Sequence, residues 1–251
     1  MMNQKLESHN FQFDTNNIPT SLPFEACMIE FSRKLPHIEY LLRNAIDKLP
    51  NEIFSFSIAC TMENYDFMKE ITNKIDFPIT IYVLPSEIRV QSVNEYNEML
   101  YTSLFWELFK DKEKILLLQE DTFIFKKNIK DFFHFDYIGA PWAYSVVRNY
   151  NVRVGNGGFS FRSMKLIFEA LEKKEIILEK LKSNAKPFFY NRNLTSFPED
   201  VFFSFAAVFL EIYTLPSVDD AKSFSTENIV SKHSLGGHQF WNMDRTWMNR
   251  L

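Results

Sequence analysis

The sequence predicts an α/β fold in which a mostly parallel central sheet is flanked by helices. Strand-like and helix-like segments alternate through the first half of the chain, which is the pattern of β-α-β units with parallel strands. A nearly continuous apolar run at 114–125 then matches a central strand covered on both faces. With 251 residues, of which 46% are hydrophobic, the chain is long enough to bury such a core.

Each element of the first half has its own signature. The strands are predicted from short apolar runs, at 25–31, 53–60 and 79–84. The helices between them are predicted from apolar residues at three- and four-residue steps, over 32–49, 61–75 and 87–109. The last helix leads into the run at 114–125, so the order is β-α-β-α-β-α-β.

The second half is richer in loops and carries most of the polar motifs. A short amphipathic piece at 129–135 precedes the segments DYIGAPW and VRVGNGGFSFRS, at 136–142 and 152–163. A long helix is predicted over 164–181 and an apolar helix from Val201. No repeat or linker divides the chain, which predicts one domain at 23–251 after a loose arm at 1–22.

Composition excludes several classes of function. The net charge is −4 and no block of basic residues occurs, so nucleic-acid binding is not expected. Two cysteines, Cys27 and Cys60, make neither a disulfide framework nor a zinc site, which indicates a reducing compartment. No secretory signal is recognised, and the longest apolar run, 201–210, is too short to cross a bilayer. A cytoplasmic location without a transmembrane segment is therefore expected, whereas the oligomeric state is not predicted.

The pair Glu120-Asp121 interrupts the central apolar run. Ligands of open α/β sheets bind at the carboxyl ends of the strands. Two carboxylates at that edge suit a Mg²⁺ or Mn²⁺ ion that carries a diphosphate. The alternative is a strand that ends in a solvated acidic turn.

Three further features come from distant parts of the second half. Gly155, Gly157 and Gly158 are half of the chain's six glycines and favour a turn that approaches a ligand closely. Glu199-Asp200 opens the apolar helix, where acids also complement the helix dipole without any chemical role. A rigidly held carboxylate there suits a general base. The segment HSLGGH offers either His233 or His238 as a third metal ligand, although a lone histidine is more often a structural or surface residue.

In this order, the features resemble those of GT-A-fold glycosyltransferases. The finer resemblance is to a family of little-characterised glycosyltransferase-like domains. Its marks are a strand ending in Q-x-D, a DYIGAPW segment, a GNGGFSxRS segment, an EDVFFS segment and a closing G-x-H. This chain has QED at 119–121, DYIGAPW at 136–142, GNGGFSFRS at 155–163, EDVFFS at 199–204 and GGH at 236–238.

The resemblance implies a single GT-A (Rossmann-like) domain that uses a UDP- or GDP-linked nucleotide-sugar donor, a hydroxyl or glycan acceptor and Mn²⁺ or Mg²⁺. Asp121 and His238 would bind the metal, and Asp200 would be the base of an inverting transfer. Glu199 would take that role instead or bind the acceptor. The donor-binding residues would be Phe31, Ser32, Arg33, Glu120, Asp121, Gly157, Gly158 and Trp142.

Gln119 departs from the acidic pattern, because an amide oxygen coordinates a metal without adding charge. This departure favours the first alternative, an inactive GT-A-like module that binds a nucleotide or a glycan. The second alternative, a sugar-phosphate nucleotidyltransferase, is disfavoured because no glycine follows the first strand. The aromatic side chains of Trp142, Phe159 and Trp241 are predicted either to stack on sugars or to pack in the core.

Overall fold

A computed structural model describes residues 21–88, 90–184 and 197–242. The predicted arm at 1–22 lies, apart from its last two residues, outside this part of the chain. The fold is α/β, with a mixed, mostly parallel six-stranded sheet between helices, as the sequence predicts.

The larger sheet has the strand order β3-β2-β1-β4-β7-β6. Strands β1 to β4 are parallel, and β7 runs antiparallel to both β4 and β6. Parallel pairing of β1 with β4 brings the carboxyl ends of these strands together. Because β7 is reversed, the loop that precedes it reaches the same edge. The strand bounds are β1 Phe24–Ile29, β2 Phe54–Cys60, β3 Thr80–Val83, β4 Lys114–Leu118, β6 Tyr137–Gly139 and β7 Phe159–Ser163.

A second sheet of three short strands has the order β5-β9-β8. Strand β9 pairs antiparallel with β5 and parallel with β8. Its register sets His238 opposite Thr122, one residue beyond the acidic turn. The bounds are β5 Thr122–Ile124, β8 Ser225–Thr226 and β9 Gly236–His238.

Helices cover both faces of the larger sheet. The alternating side chains of β4 separate into two cores, with Ile115 and Leu117 on one face and Leu116 and Leu118 on the other. Helices α3 to α7 pack on the first face; α1, α2 and α8 pack on the second. The bounds are α1 Ile38–Lys48, α2 Tyr65–Thr72, α3 Val93–Leu100, α4 Ser103–Glu107, α5 Met164–Glu172, α6 Lys174–Asn184, α7 Glu199–Leu210 and α8 Val218–Phe224.

The central strand predicted from Lys114 onward is β4, and it ends at Leu118 with the acidic residues at its carboxyl end, as expected. The backbone turns at Gln119, whose N–H donates to the carbonyl of Gly158 and to Oγ1 of Thr122. The N–H of Thr122 returns a bond to the Gln119 carbonyl. This turn sends β5 into the second sheet and leaves the acidic residues at the edge between the two sheets.

Two predicted helices are interrupted. The helix predicted over 87–109 breaks at Tyr101 and Thr102, where Thr102 is extended, with φ −109° and ψ 153°. The helix predicted over 164–181 breaks at Lys173, with φ −95° and ψ 16°. In both places the apolar spacing continues across the break, so periodicity alone does not reveal it.

Cys27 and Cys60 are both buried and form no disulfide bond with each other. Across residues 21–88, 90–184 and 197–242, no helix has the length and apolar character needed to cross a membrane.

Candidate active site

A cleft of about 560 Å³ opens at the edge where β1, β4 and β7 meet. Its volume is within the usual range for small-molecule sites. Five chain segments and His238 line it: the loop after β1, the start of α3, the turn after β4, the glycine loop before β7 and the start of α7. The structure thus brings together motifs that are far apart in sequence.

The turn after β4 lies against His238. Nε2 of this ring is 3.0 Å from Oδ1 of Asp121 and 3.1 Å from Oε1 of Gln119. Nδ1 faces Oε1 of Glu227 at 3.8 Å. The amide of Gln119 is oriented from its other end, because Nε2 of Gln119 donates to the hydroxyl of Tyr96 at 3.1 Å.

Electrostatics couple His238 to its neighbours. Burial opposes its protonation, but the carboxylates of Asp121 and Glu227 outweigh this and raise the pKa of His238 to about 9. Burial likewise disfavours the charged form of Asp121, yet His238 lowers the pKa of that carboxyl below its usual value. The pair is therefore charged at neutral pH when no cation is bound.

Nε2 of His238, Oδ1 of Asp121 and Oε1 of Gln119 have the spacing of metal ligands. Adjacent ligands of an octahedral cation with bonds of about 2.1 Å are about 3 Å apart, close to the two distances from Nε2 of His238. Oδ1 of Asp121 is buried and its close polar neighbour is Nε2 of His238 at 3.0 Å, so a cation bound by both atoms would displace the proton of the His238 ring. No group of three His, Cys, Asp or Glu side chains in the described ranges is arranged as a metal site. A cation would therefore use the amide oxygen of Gln119 together with oxygens of its ligand.

Arg33 lies beside the acidic turn. Its guanidinium contacts Oε2 of Glu30 at 2.5 Å and Oε1 of Glu120 at 2.7 Å. Oε1 of Glu30 also accepts the N–H groups of Ser32 and Arg33, at 3.2 and 3.0 Å. Phe31, whose ring is 6.2 Å from that of Tyr96, completes this end of the cleft. The guanidinium is half-exposed and is the cation of this cluster that faces solvent.

The glycine loop has no room for side chains. A Cβ on Gly157 would lie 2.2 Å from Oε1 of Glu199, and one on Gly158 would lie 2.2 Å from Nε2 of His238. Gly155 has a φ of +118°, which side chains rarely allow. The backbone of this loop therefore lies directly against the side chains of Glu199 and His238.

Asp200, the second residue of α7, belongs to the same lining as the loop after β1. Its Oδ2 accepts the N–H of Gly157 at 3.2 Å, and its Oδ1 accepts that of Val201 at 2.7 Å. Burial and the charge of Glu199 raise the pKa of Asp200 to about 7. A carboxyl with that pKa is suited to accept a proton at neutral pH.

Glu199 is less suited than Asp200 to accept a proton, because its carboxylate forms an ion pair. Its carboxylate is bound by both terminal nitrogens of Arg162, at 2.6 and 3.0 Å. Arg162 is fully buried on β7, and its guanidinium faces the rings of Tyr137, Trp106 and Phe203 at 5.0 to 5.8 Å. Two close, parallel hydrogen bonds fix the carboxylate of Glu199 beneath the glycine loop.

Sequence reasoning missed several of these residues. Arg162 stands within the quoted segment GNGGFSFRS, but no local signal pairs it with Glu199, which is 37 residues away. Tyr96 and Asn97 on α3 line the cleft and belong to no motif. Tyr96 is spaced four residues from Leu100 within the predicted helix, a pattern that indicates packing and gives no sign of its hydrogen bond to Gln119.

Some candidate residues are not part of this cleft. Trp142 packs against the core on the α3–α7 face and is not among the lining residues. Phe159 is buried and stacks on Phe224 with a centroid distance of 4.7 Å. His233 is exposed, and Trp241 contacts Phe240 at 5.2 Å. The structure places Phe31, Ser32, Arg33, Glu120, Gly157, Gly158, Glu199, Asp200 and His238 in the lining, with Asp121 directly against His238.

Comparison with known proteins gives one family and one fold. The model of the family DUF5672, described as a protein of unknown function, matches residues 78–238. No curated protein matches the chain. Among solved structures, the chain is similar to mouse xyloside xylosyltransferase 1 in its apo form, with a TM-score of 0.56 and 11% identity. The alignment covers 88% of this chain and 99% of that chain. The protein therefore has a glycosyltransferase-like fold.

Proposed function

The chain belongs to the DUF5672 family, and we propose that it is a glycosyltransferase that moves a sugar from a UDP- or GDP-linked donor to a hydroxyl group. The strongest support is that a single cleft combines a suitable base with a suitable site for a diphosphate. Asp200, with a pKa near 7, is suited to accept a proton, and the Asp121–His238 pair is suited to hold a metal-bound diphosphate. Both lie in the lining of, or against, a cleft in a glycosyltransferase-like fold.

In the proposed reaction, the acceptor oxygen attacks the anomeric carbon of the donor sugar as the bond from that carbon to the phosphate oxygen breaks. The bonding electrons leave with the diphosphate, and the acceptor proton passes to a carboxylate oxygen of Asp200. Attack from the side opposite the leaving group inverts the anomeric configuration. Glu199 does not take the proton in this proposal, because Arg162 holds both of its oxygens.

The donor would lie across the cleft. Phe31, Ser32 and Arg33 would bind the nucleotide end, and Gly157 and Gly158 would lie under the transferred sugar. Mn²⁺ or Mg²⁺, held by Asp121, His238 and the amide oxygen of Gln119, would neutralise the charge that develops on the diphosphate. Trp142 receives no role in this proposal because it lies outside the lining of the cleft.

The test is a calorimetric titration of the protein with UDP, GDP, UDP-glucose, UDP-xylose and GDP-mannose, with and without Mn²⁺. We expect one nucleotide to bind, and to bind more tightly with Mn²⁺. Binding that ignores the metal would remove Asp121 and His238 from the metal role. Absence of binding to every nucleotide would overturn the proposal.

A second candidate function is a binding module without turnover. Gln119 favours it, since a neutral amide replaces a carboxylate at a metal-binding position. Hydrolysis of the nucleotide sugar in the absence of an acceptor distinguishes the transferase from the binding module. An active transferase releases free sugar slowly when water replaces the acceptor. Nucleotide binding together with no hydrolysis and no transfer to any acceptor tested would favour the binding module.

A further inference from the structure

Asn97 has an unsatisfied hydrogen-bond donor beside the cleft. The residue lies on α3, is 2% exposed and belongs to the cleft lining. Its Nδ2 is buried and has no hydrogen-bond acceptor. Buried amide groups are nearly always paired, so an unpaired one in a cleft indicates a partner that arrives with a ligand.

The orientation of this amide is fixed by its other end. Oδ1 of Asn97 accepts the backbone N–H of Glu199 at 3.0 Å, at the first residue of α7. A swap of the two amide atoms would set Nδ2 against that N–H, so the donor is held in place. The same helix is anchored by Tyr101, whose hydroxyl donates to the Phe197 carbonyl at 2.5 Å.

Helix α3 contacts both the turn after β4 and the start of α7. Tyr96 contacts Gln119 at the metal-binding turn, and Asn97 contacts Glu199 next to the proposed base. In a glycosyl transfer, the group between the leaving diphosphate and the attacking hydroxyl is the transferred sugar. An N–H group on α3, between the metal-binding turn and the proposed base, would therefore contact the sugar of a bound nucleotide sugar rather than its nucleotide.

We propose that Nδ2 of Asn97 donates a hydrogen bond to an oxygen of the transferred sugar and so selects the donor sugar. The inference rests on the proposed transferase function. It assigns to α3 a recognition role that no sequence motif indicates. Because the sugar alone contacts this amide, the nucleotide part of the donor binds independently of it.

The test compares nucleotides with nucleotide sugars in two variants. Asn97→Asp keeps an oxygen for the N–H of Glu199 but cannot donate, and Asn97→Ser removes the amide without adding charge. The titrations use UDP against UDP-glucose and GDP against GDP-mannose. In each variant we expect sugar-nucleotide affinity to fall about tenfold to a hundredfold, with nucleotide affinity changed by less than about twofold.

Tyr101→Phe is the matched control, because it weakens the anchoring of α3 at 197–199 without touching the unpaired amide. It should leave both affinities within about twofold of the original protein. An equal loss for nucleotide and nucleotide sugar, no loss in either Asn97 variant, or the same selective loss in Tyr101→Phe would overturn the role of Asn97. Absence of nucleotide binding by the unmodified protein would instead overturn the proposed function, and this inference with it.

Deoxygenated donors locate the contact. A donor that lacks the hydroxyl bound by Asn97 should bind the original protein about as weakly as the full donor binds Asn97→Ser. That donor should lose little further affinity in the variant, because the interaction is already absent. If every deoxy donor loses the same affinity in the variant as the full donor does, no sugar hydroxyl contacts Asn97 and the proposal is overturned.

Discussion

Asp200 combines a raised pKa with a fixed position. Two backbone N–H groups hold its oxygens, and burial beside Glu199 raises its pKa to about 7. Asp200→Asn keeps the shape of the side chain, leaves one of the two backbone N–H groups without an acceptor and removes the base. We expect kcat to fall about a hundredfold to ten-thousandfold while nucleotide affinity stays within about twofold. Calorimetry and a transfer assay measure the two quantities, and full activity of the variant would exclude Asp200 as the base.

The charge of Glu199 gives a prediction for the pH profile. Groups that face Asp200 are Glu199, which raises its pKa, Arg162, which lowers it, and the N–H groups of Gly157 and Val201, which lower it. The base must be ionised, so kcat should fall as the pH drops through about 7. In Glu199→Gln, this limb should move to lower pH by about one unit, because the neighbouring negative charge is gone.

Glu98→Gln is the control for that profile. Glu98 is an exposed carboxylate on α3, one residue beyond Asn97. Its replacement removes the same charge without changing the surroundings of Asp200, so the limb should stay in place. A limb that stays at the same pH in Glu199→Gln would show that Glu199 does not set the pKa of the base.

Arg162 gives a prediction about stability. Arg162→Met leaves the carboxylate of Glu199 buried and unpaired, and the free energy of unfolding should fall by about 3–5 kcal/mol. Arg162→Met combined with Glu199→Leu should recover most of this loss, since no buried charge remains. Urea denaturation measures both, with the exposed Arg148→Met as a control that should change by less than about 0.5 kcal/mol. A single variant as stable as the original protein would contradict the buried pair.

At the scale of elements, the glycine loop touches both ends of the cleft through adjacent residues. The extra methyl group of Gly157→Ala would meet the Glu199 carboxylate and the Cβ of Asp200. That of Gly158→Ala would meet the ring of His238. The first variant should lower kcat by about a hundredfold through displacement of the base. The second should weaken metal-dependent nucleotide binding by about tenfold to a hundredfold.

Each glycine variant is the control for the other. Steady-state kinetics and calorimetry on both proteins should give opposite patterns, with kcat affected in one and nucleotide affinity in the other. Identical losses in both quantities would mean that the loop acts only through folding. That outcome would remove the assignment of one end of the cleft to the base and the other to the diphosphate.

Elements were predictable where one local pattern determines them. The strand at 25–31 and the helix from Val201 are apolar runs of the right length, and the structure has β1 and α7 there. The end of β4 at the acidic residues was predictable, but the sequence did not show that the apolar residues after the turn at Gln119 belong to a second sheet. That turn depends on a bond to Gly158, which is brought near only by the pairing of β4 with β7.

At the scale of the whole molecule, the order of the sheet explains how far motifs alone can predict the site. Parallel β1 and β4 place the ends of these strands side by side, so the contact of Arg33 with Glu120 follows from topology. The pairing of Arg162 with Glu199, and of Asn97 with the start of α7, depends on long-range packing of helices on the sheet. A single sequence carries no pattern for such packing.

Because the cleft is built from distant parts of the chain, ligand binding should affect the stability of the fold. The cleft is lined by residues from Ile29 to His238, so the site exists only in the folded chain. A ligand at one hundred times its Kd should therefore raise the free energy of unfolding by about 2.7 kcal/mol. For a chain of this size the melting temperature should rise by about 5–10 °C. Thermal unfolding with Mn²⁺ and the nucleotide found by calorimetry measures this.

Two variants distinguish binding from catalysis in that experiment. Asp121→Asn removes the charge beside His238, so the rise in melting temperature at the same nucleotide concentration should be largely lost. Asp200→Asn should keep the rise, because the base contributes to transfer and not to nucleotide affinity. If Asp121→Asn keeps the full rise and Asp200→Asn loses it, the diphosphate lies at the α7 end of the cleft, and the roles of the two ends must be exchanged.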